Sequence, residues 1–316
     1  MSPTFHLRTC TIVLLVVLTA CSPAATPTAT EPPAPTTAPT TAPPTATLAP
    51  TNTPKPSQQP IKGKFDVGGY SLYVECDGVG GPTTVLEPGR ISNTPDAGGY
   101  ISLWFMLEPH TRVCMYDRAG SGQSDSAHVS DRSSAQWVED LRKLLSVAGE
   151  PGPYVLVGYD MGGFNVLVYA DKYPQEVAGV VLIDSEYPYA GESLVKVLPT
   201  PASSEEQHIT TLRQQLTQAP SLIDWDYLAS AAEVSAINSL GSLPLVVITT
   251  NPTMAASSEL GLKLEQVWLE LQKKFTTLSS NSELIIAPTG IHPIHQAQPQ
   301  LVADTILKIV KAARSK

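Results

Sequence analysis

From residue 61 to the end of the chain, short apolar runs alternate with stretches of helical periodicity. "KFDVGGYSLYVECDG" reads as a hairpin, two alternating runs around Gly68-Gly69. "TTVLEPG" and "TRVCMYDRAG" are β-rich runs that end in polar loops. "SAQWVEDLRKLLSVAG" sets Trp137, Leu141, Leu144 and Leu145 on one helix face, and Gly149 stops it. Next come "YVLVGYD" as a strand, "GFNVLVYADKYP" as a helix and "VAGVVLIDS" as a buried strand. Residues 187–241 break the rhythm with Pro-rich turns and helical patches such as "SSEEQHITTLRQQLTQ". "LPLVVITTN" resumes the sheet, a long helix follows around "LEQVWLELQKKF", and "SELIIAP" and "LVADTILKIVKAAR" give the last strand and helix. Runs that are apolar throughout, alternating with helices, predict an α/β domain: a parallel sheet covered on both faces. Ligands collect at the carboxyl ends of such strands.

The first sixty residues read differently. Residues 1–20 form a signal sequence, His6 and Arg8 followed by "TIVLLVVLTA", which is too short to span a membrane comfortably. A plain apolar anchor is the other reading of that run. Its end, Leu18-Thr19-Ala20-Cys21, resembles the bacterial lipobox, which implies cleavage before Cys21, lipid on that cysteine and an extracytoplasmic protein anchored to the cell membrane. Residues 21–60 are almost wholly Pro, Thr, Ala and Ser after Cys21, a composition that cannot bury enough apolar surface to order itself and suits a disordered tether. Residues 61–316 are long enough for one large domain.

A net charge of −9 and the lack of any basic run argue against a nucleic-acid partner. Once Cys10 leaves with the signal and Cys21 takes lipid, only Cys76 and Cys114 remain. In an oxidising compartment they can pair, or persist as two buried thiols.

The chemistry concentrates at "YVLVGYDMGGFNVLVYADKYP", residues 154–174. A strand, a Gly-x-x-x-Gly turn and a helix form the layout of a nucleophile elbow, G-x-S-x-G, with Asp160 where serine is usual. Gly158 and Gly162 allow strand and helix to approach, and the helix N-terminus favours negative charge at the turn. A strand–helix turn that merely needs glycine would look the same locally.

Further motifs fall in order around it. "YDRAGSGQSD", Tyr116 to Asp125, is similar to the D-R-x-G-x-G-x-S loop of the α/β-hydrolase fold family, and "GIHPIH" follows the last strand where that family places its histidine. Together with the elbow and the irregular segment 187–241, in the position of a cap, these motifs mark a resemblance to that family over residues 64–314. The resemblance implies a mostly parallel eight-stranded sheet with helices on both faces. It also implies that the second and fourth strands, which carry Cys76 and Cys114, are neighbours, and this favours a disulfide.

It implies roles as well. Met161 and Arg90 would supply the backbone N–H groups of an oxyanion hole, although "LEPGR" has Pro88-Gly89 where the family often has His-Gly. His292 would be the general base, with Ile291 inserted between it and Gly290, and His295 packed behind it. His292 and His295 also have metal-pair spacing, but no third ligand cluster accompanies them. The family usually takes its orienting acid from the loop after the seventh strand, which here offers Asn251 and no nearby Asp; the other place the family uses, the end of the sixth strand, would give that role to Asp184 in "VLIDSE", with Glu186 and Glu259 weaker candidates. An Asp at a strand end also commonly just caps a loop.

Within the family, an elbow aspartate marks haloalkane dehalogenases, fluoroacetate dehalogenases and epoxide hydrolases. A carboxylate attacks an sp3 carbon to give an alkyl ester, which histidine-activated water then hydrolyses. Against a carboxylic ester the same group would have to form an anhydride. Two features pull the other way: Met161 stands where dehalogenases commonly have Trp or Arg, and the lipobox–stalk–domain plan resembles exported serine hydrolases. Epoxide hydrolases also use cap tyrosines, for which Tyr187, Tyr189 and Tyr227 are available. The expectation is therefore a hydrolase acting through Asp160, His292 and Asp184 on a small or medium neutral molecule, without cofactor or metal. The alternative is a serine-esterase-like scaffold of lost or weakened activity serving as a surface binding module.

Overall fold

The computed structural model describes residues 59–90, 99–201, 206–218 and 225–315. The expected signal peptide, the lipidated Cys21 and the linker up to residue 58 lie outside the described residues. No described helix is long and apolar enough to cross a membrane.

The strands are β1 Ile61–Asp66, β2 Ser71–Asp77, β3 Thr83–Glu87, β4 Val113–Tyr116, β5 Tyr154–Tyr159, β6 Val177–Ile183, β7 Leu245–Thr249 and β8 Ser282–Ile286. The first helices are α1 Ile101–Leu107, α2 Ser134–Val147 and α3 Gly162–Lys172. The segment 187–241 carries α4 Ala190–Leu194, α5 Gln207–Thr217 and α6 Tyr227–Ser235. After β7 come α7 Pro252–Ala255, α8 Glu259–Phe275, α9 Ile294–Ala297 and α10 Pro299–Arg314. The eight strands form one sheet in the order β1-β2-β4-β3-β5-β6-β7-β8. Only β2 runs antiparallel to its neighbours β1 and β4; β3 to β8 are parallel.

Burial explains the apolar runs. Every residue of β3, β4 and β7 is buried, because helices cover both faces of the central strands. The outer strand β1 instead alternates half-buried with exposed positions. On one face, α2, α3 and α6 bring Leu141, Leu144, Phe164, Leu167 and Ala231 against the sheet. On the other, α1 and α10 bring Leu103, Leu107, Ile306 and Val310. Helix α2 starts with a capping box between Ser133 and Gln136 and stops where Gly149 adopts φ 76°. The consequence for function is positional. Glu87, Asp160, Asp184 and Thr249 all stand at carboxyl ends of adjacent parallel strands.

Cys76 and Cys114 face each other across the antiparallel β2–β4 ladder with Cα atoms 4.1 Å apart, and their sulfurs are bonded. The open alternative from the sequence closes in favour of the disulfide. It joins residues separated by 38 positions. A loop of that length removes about 3–4 kcal/mol of conformational freedom from the unfolded chain. We therefore expect Cys76→Ala/Cys114→Ala, or the reduced wild type, to lose about 2–4 kcal/mol in urea unfolding. An unchanged midpoint under reducing conditions would contradict this.

Candidate active site

The turn after β5 is strained and held. Asp160 sits at φ 51°, a left-handed conformation that costs a non-glycine residue about 1–3 kcal/mol. Its main chain is fixed from three sides: its N–H donates to Ile183 O at 3.3 Å, and its carbonyl accepts from the N–H groups of Gly163 and Glu186, both at 3.1 Å. Behind it, a Cβ on Gly162 would come within 2.4 Å of Pro88 O and 2.7 Å of Glu87 O. Glycine there lets the start of α3 lie directly on the loop after β3.

That loop delivers the donors. Asp160 Oδ2 accepts from the backbone N–H of Arg90 at 3.2 Å and from Arg90 Nε at 3.2 Å. The N–H of Met161 also helps hold the charge of the Asp160 carboxyl. Both backbone groups expected to form an oxyanion hole thus converge on the elbow carboxylate itself. Asp160 Oδ1 points the other way, 3.9 Å from His292 Nε2. That separation is too long for a direct hydrogen bond.

His292 is oriented as the motif order requires. Its Nδ1 lies 2.6 Å from Asp184 Oδ2, while Asp184 Oδ1 accepts from Thr249 Oγ1 and Trp268 Nε1, both at 2.9 Å. Asp184 is buried with φ 42°. The loop before His292 passes so close to α7 that a Cβ on Gly290 would be 2.3 Å from Met254 O. The inserted Ile291 is exposed and leaves the His292–Asp184 pair intact.

Electrostatics follow from this packing. Burial works against the Asp160 charge, but His292, Arg90 and the Met161 N–H outweigh it and hold the carboxyl below its usual range. Burial also disfavours charge on His292, yet the two aspartates flanking the ring raise it to about 9. Glu186 moves in the opposite sense. Its burial, then the adjacent Asp160 charge, push it up to about 7 despite Arg90 Nη2 at 3.4 Å from its Oε2.

The family model described as the alpha/beta hydrolase fold matches residues 100–259, half of the chain. The chain belongs to the α/β hydrolase fold family. The uncharacterized protein YqjL of Bacillus subtilis is 26% identical over 238 residues, 75% of this chain and 86% of that protein. Among solved structures, a thermophilic esterase from Thermogutta terrifontis superposes with a TM-score of 0.54 at 21% identity, covering 81% of this chain and 99% of that one. An ancestral haloalkane dehalogenase superposes with a TM-score of 0.56 at 14% identity, covering 80% and 99%. The fold is thus shared with both types.

In this member of the α/β hydrolase fold family the other candidate residues have separate roles. Glu259 pairs with Lys263 on α8, and Asn251 caps α7. His295 is fully buried between the rings of Tyr100 and Tyr159, so it packs behind the site. The sequence reading did not include Trp268, a donor to Asp184 from the middle of α8, or the Glu87–Arg118 pair. Glu87 Oε1 accepts from Arg118 Nη1 at 2.9 Å and from Asn165 Nδ2 at 2.8 Å, and its Oε2 from Tyr116 OH at 2.6 Å. Arg118 also donates to Pro88 O at 2.8 Å and to Gly89 O, so it ties down the loop that presents Arg90. The D-R-x-G motif carried that signal.

Above the site, a pocket of about 580 Å³ is lined by residues that include Arg90, Glu186, Tyr189, Leu216, Tyr227 and Trp268. A groove of about 760 Å³ lies elsewhere, along α2 and the residues leading into β5, and contains none of the site residues. Among the described residues, possible metal ligands cluster only at Cys76, Cys114 and Glu150. There the sulfurs are bonded to each other and Glu150 is paired with Arg112.

Two outcomes follow. The His292 resonances should titrate near pH 9 in the wild type and distinctly lower in Asp160→Asn, because one of the two flanking charges is gone. Being raised, this group stabilises the fold fully below its ordinary value of 6.5 and loses that contribution as pH rises through about 9. An imidazole titrating near 6.5 in both proteins would show the pair to be broken in solution. Arg118→Met should cost about 3–5 kcal/mol in urea unfolding, since it strands the buried Glu87 charge, and Glu87→Gln in the same chain should recover part of the loss.

Proposed function

We propose that this chain is a hydrolase that works through an alkyl ester on Asp160. One observation carries the reading: Oδ2 of Asp160 lies on the Arg90 N–H, while Oδ1 is turned towards His292. Attack on an sp3 carbon by Oδ1 would give an ester whose carbonyl oxygen, Oδ2, is already seated among the donors that a tetrahedral intermediate needs. Water activated by His292 then attacks the Asp160 carbonyl carbon, collapse releases the alcohol, and Asp184 stabilises the imidazolium.

The charge state supports the same sequence. In the resting site Asp160 keeps His292 protonated, a poor state for a base. Esterification removes the Asp160 charge, so the histidine sheds its proton more readily after the first step. The base becomes available when the ester exists.

The occupied hole also speaks against ordinary ester cleavage. A substrate carbonyl would have to displace Oδ2 from its donors before it could be polarised. The pocket mixes Tyr, Leu and Trp with Glu186, Glu192 and one paired arginine, which disfavours an anionic substrate and suits a small or medium neutral molecule. The lipobox ending at Cys21 and the Pro/Thr-rich stretch support work outside the cytoplasmic membrane, with the domain tethered to it. Arg90 does favour one rival reading, because its guanidinium on Asp160 would also suit a scaffold locked for binding rather than turnover.

The test runs residues 61–316 against epoxides, haloalkanes and short acyl esters as wild type, Asp160→Asn and Asp160→Ser. We expect wild-type turnover of an epoxide or haloalkane, with kcat lowered at least about a thousandfold in Asp160→Asn. Silence of the wild type on every substrate, with ester cleavage by Asp160→Ser, would establish the lost-serine scaffold instead.

A further inference from the structure

The mechanism above leaves Glu186 unused, as it does Glu265, which lies within reach of the Asp184 and His292 charges, and Glu192, which lines the same pocket. Glu186 follows Asp184 by two residues, and its own N–H donates to the Asp160 carbonyl, so its backbone is docked on the elbow. Its side chain is only 12% exposed and meets Arg90 Nη2 at 3.4 Å, while Nε of the same guanidinium holds Asp160 Oδ2. One planar group therefore spans both carboxyls. Glu186 also lines the pocket above the site, with Tyr189, Tyr227 and Trp268.

The local charge balance disfavours ionisation of Glu186. Around the elbow, Asp160 and Asp184 face the cations Arg90 and His292, two anions against two cations. An ionised Glu186 would add a third anion beside the buried Asp160 and Asp184, while both cations are half exposed, and this is costly. The raised pKa of Glu186, about 7, has the same origin: burial first, then Asp160.

We propose that Glu186 is the acid that protonates the leaving atom, and that the substrate is therefore one whose leaving atom is oxygen on a strained ring, an epoxide. This rests on the Asp160 nucleophile proposed above. Asp160 Oδ1 forms a bond to a ring carbon, the C–O bond of the epoxide breaks, and its electron pair takes the Glu186 proton to give a hydroxyl group. His292, an imidazolium in the resting site, first releases its proton to solvent, and water that it then deprotonates adds to the Asp160 carbonyl carbon. Collapse expels the second hydroxyl of a diol, protonated by His292, the proton left over from water returns to Glu186, and His292 regains one proton from solvent as the Asp160 charge reappears. The sum is epoxide plus water giving diol.

The two proton transfers are timed by one event. The Asp160 charge holds the proton on Glu186, so attack by Asp160, which consumes that charge, makes Glu186 a stronger acid just as the oxygen needs a proton. Tyr227 also faces the pocket, but burial first, and then Glu186, raise its phenol well above the ordinary value and make it a weaker donor. A halide leaves as a stable anion and has no use for this proton.

The test uses the His292→Gln chain, in which an ester on Asp160 accumulates, with and without Glu186→Gln. Each is exposed to a panel of monosubstituted epoxides and matched primary iodoalkanes, and adduct on the Asp160 peptide is followed by mass spectrometry. We expect Glu186→Gln to slow adduct formation from epoxides about a hundredfold or more, the usual range for a lost general acid, and to leave iodoalkane adducts within about threefold. With Glu186 present, the epoxide rate should fall as pH rises past a value at or above about 7, and that limb should be absent for iodoalkanes. Equal epoxide rates in both proteins, equal losses with both reagents, or adducts from iodoalkanes alone would each overturn the role of Glu186 while leaving Asp160 as nucleophile. No adduct on Asp160 from either reagent would remove the nucleophile reading, and this inference with it.

Discussion

The buried ion pair of Glu87 and Arg118 is the contact on which the site depends. Both side chains are almost wholly excluded from water, and such a pair contributes little net stability unless its remaining hydrogen-bonding capacity is filled. Here Tyr116 and Asn165 complete Glu87, and the carbonyls of Pro88 and Gly89 complete Arg118. Trp225 and Trp137 flank the guanidinium, with ring centroids 4.8 and 5.8 Å from it. The chain from β3 to Arg90 is thereby fixed in space against α3. The position of the Arg90 N–H, and with it the orientation of the Asp160 carboxylate, follows from that fixation.

An aspartate in an elbow built this way changes what the surroundings do. A serine hydroxyl would leave the two backbone donors open to a substrate oxygen, whereas the carboxylate brings its own oxygen to them. It also adds a full negative charge beside the histidine, which rises in pKa as a result, and beside Glu186, which does too. The same geometry can therefore support a different chemistry with one residue altered, because the donors, the base and its orienting acid are all still in line.

Much of this was legible because the chemistry sits where the local pattern is strongest. Apolar runs announced β5, β6 and β7, a short β-rich run announced β3, and a strand–Gly–helix boundary announced the elbow. Asp184 could be named because it stands at the second place the family uses for its acid, the end of β6, while the loop after β7 has Asn251 and no nearby Asp, and the structure joins it to His292. What escaped depends on distance in the fold. Helix α1 is only seven residues long, and its buried set of Leu103, Trp104 and Leu107 is too short a sample of a helical period to stand out. Trp268 lies 84 residues from Asp184, on a helix whose amphipathic spacing gives it an ordinary packing role. Glu87 and Arg118 are 31 residues apart, each in a motif that is readable by itself. Nothing in either motif states that the two side chains meet.

Glu186 shows why a third carboxyl is hardest to read. By position it looked like a spare partner for His292, and proximity in sequence to Asp184 made the two interchangeable on paper. In the fold, the left-handed turn at Asp184 directs successive side chains apart: Asp184 to the imidazole, Glu186 to Arg90 and the pocket. Two acids from one strand end thus meet opposite environments. Asp184 accepts hydrogen bonds from Thr249, Trp268 and His292. Glu186 shares one guanidinium with a neighbour of its own sign and has reason to stay neutral. In the reaction proposed here, esterification of Asp160 would act on both flanks together, releasing a proton from Glu186 and freeing His292 to accept one.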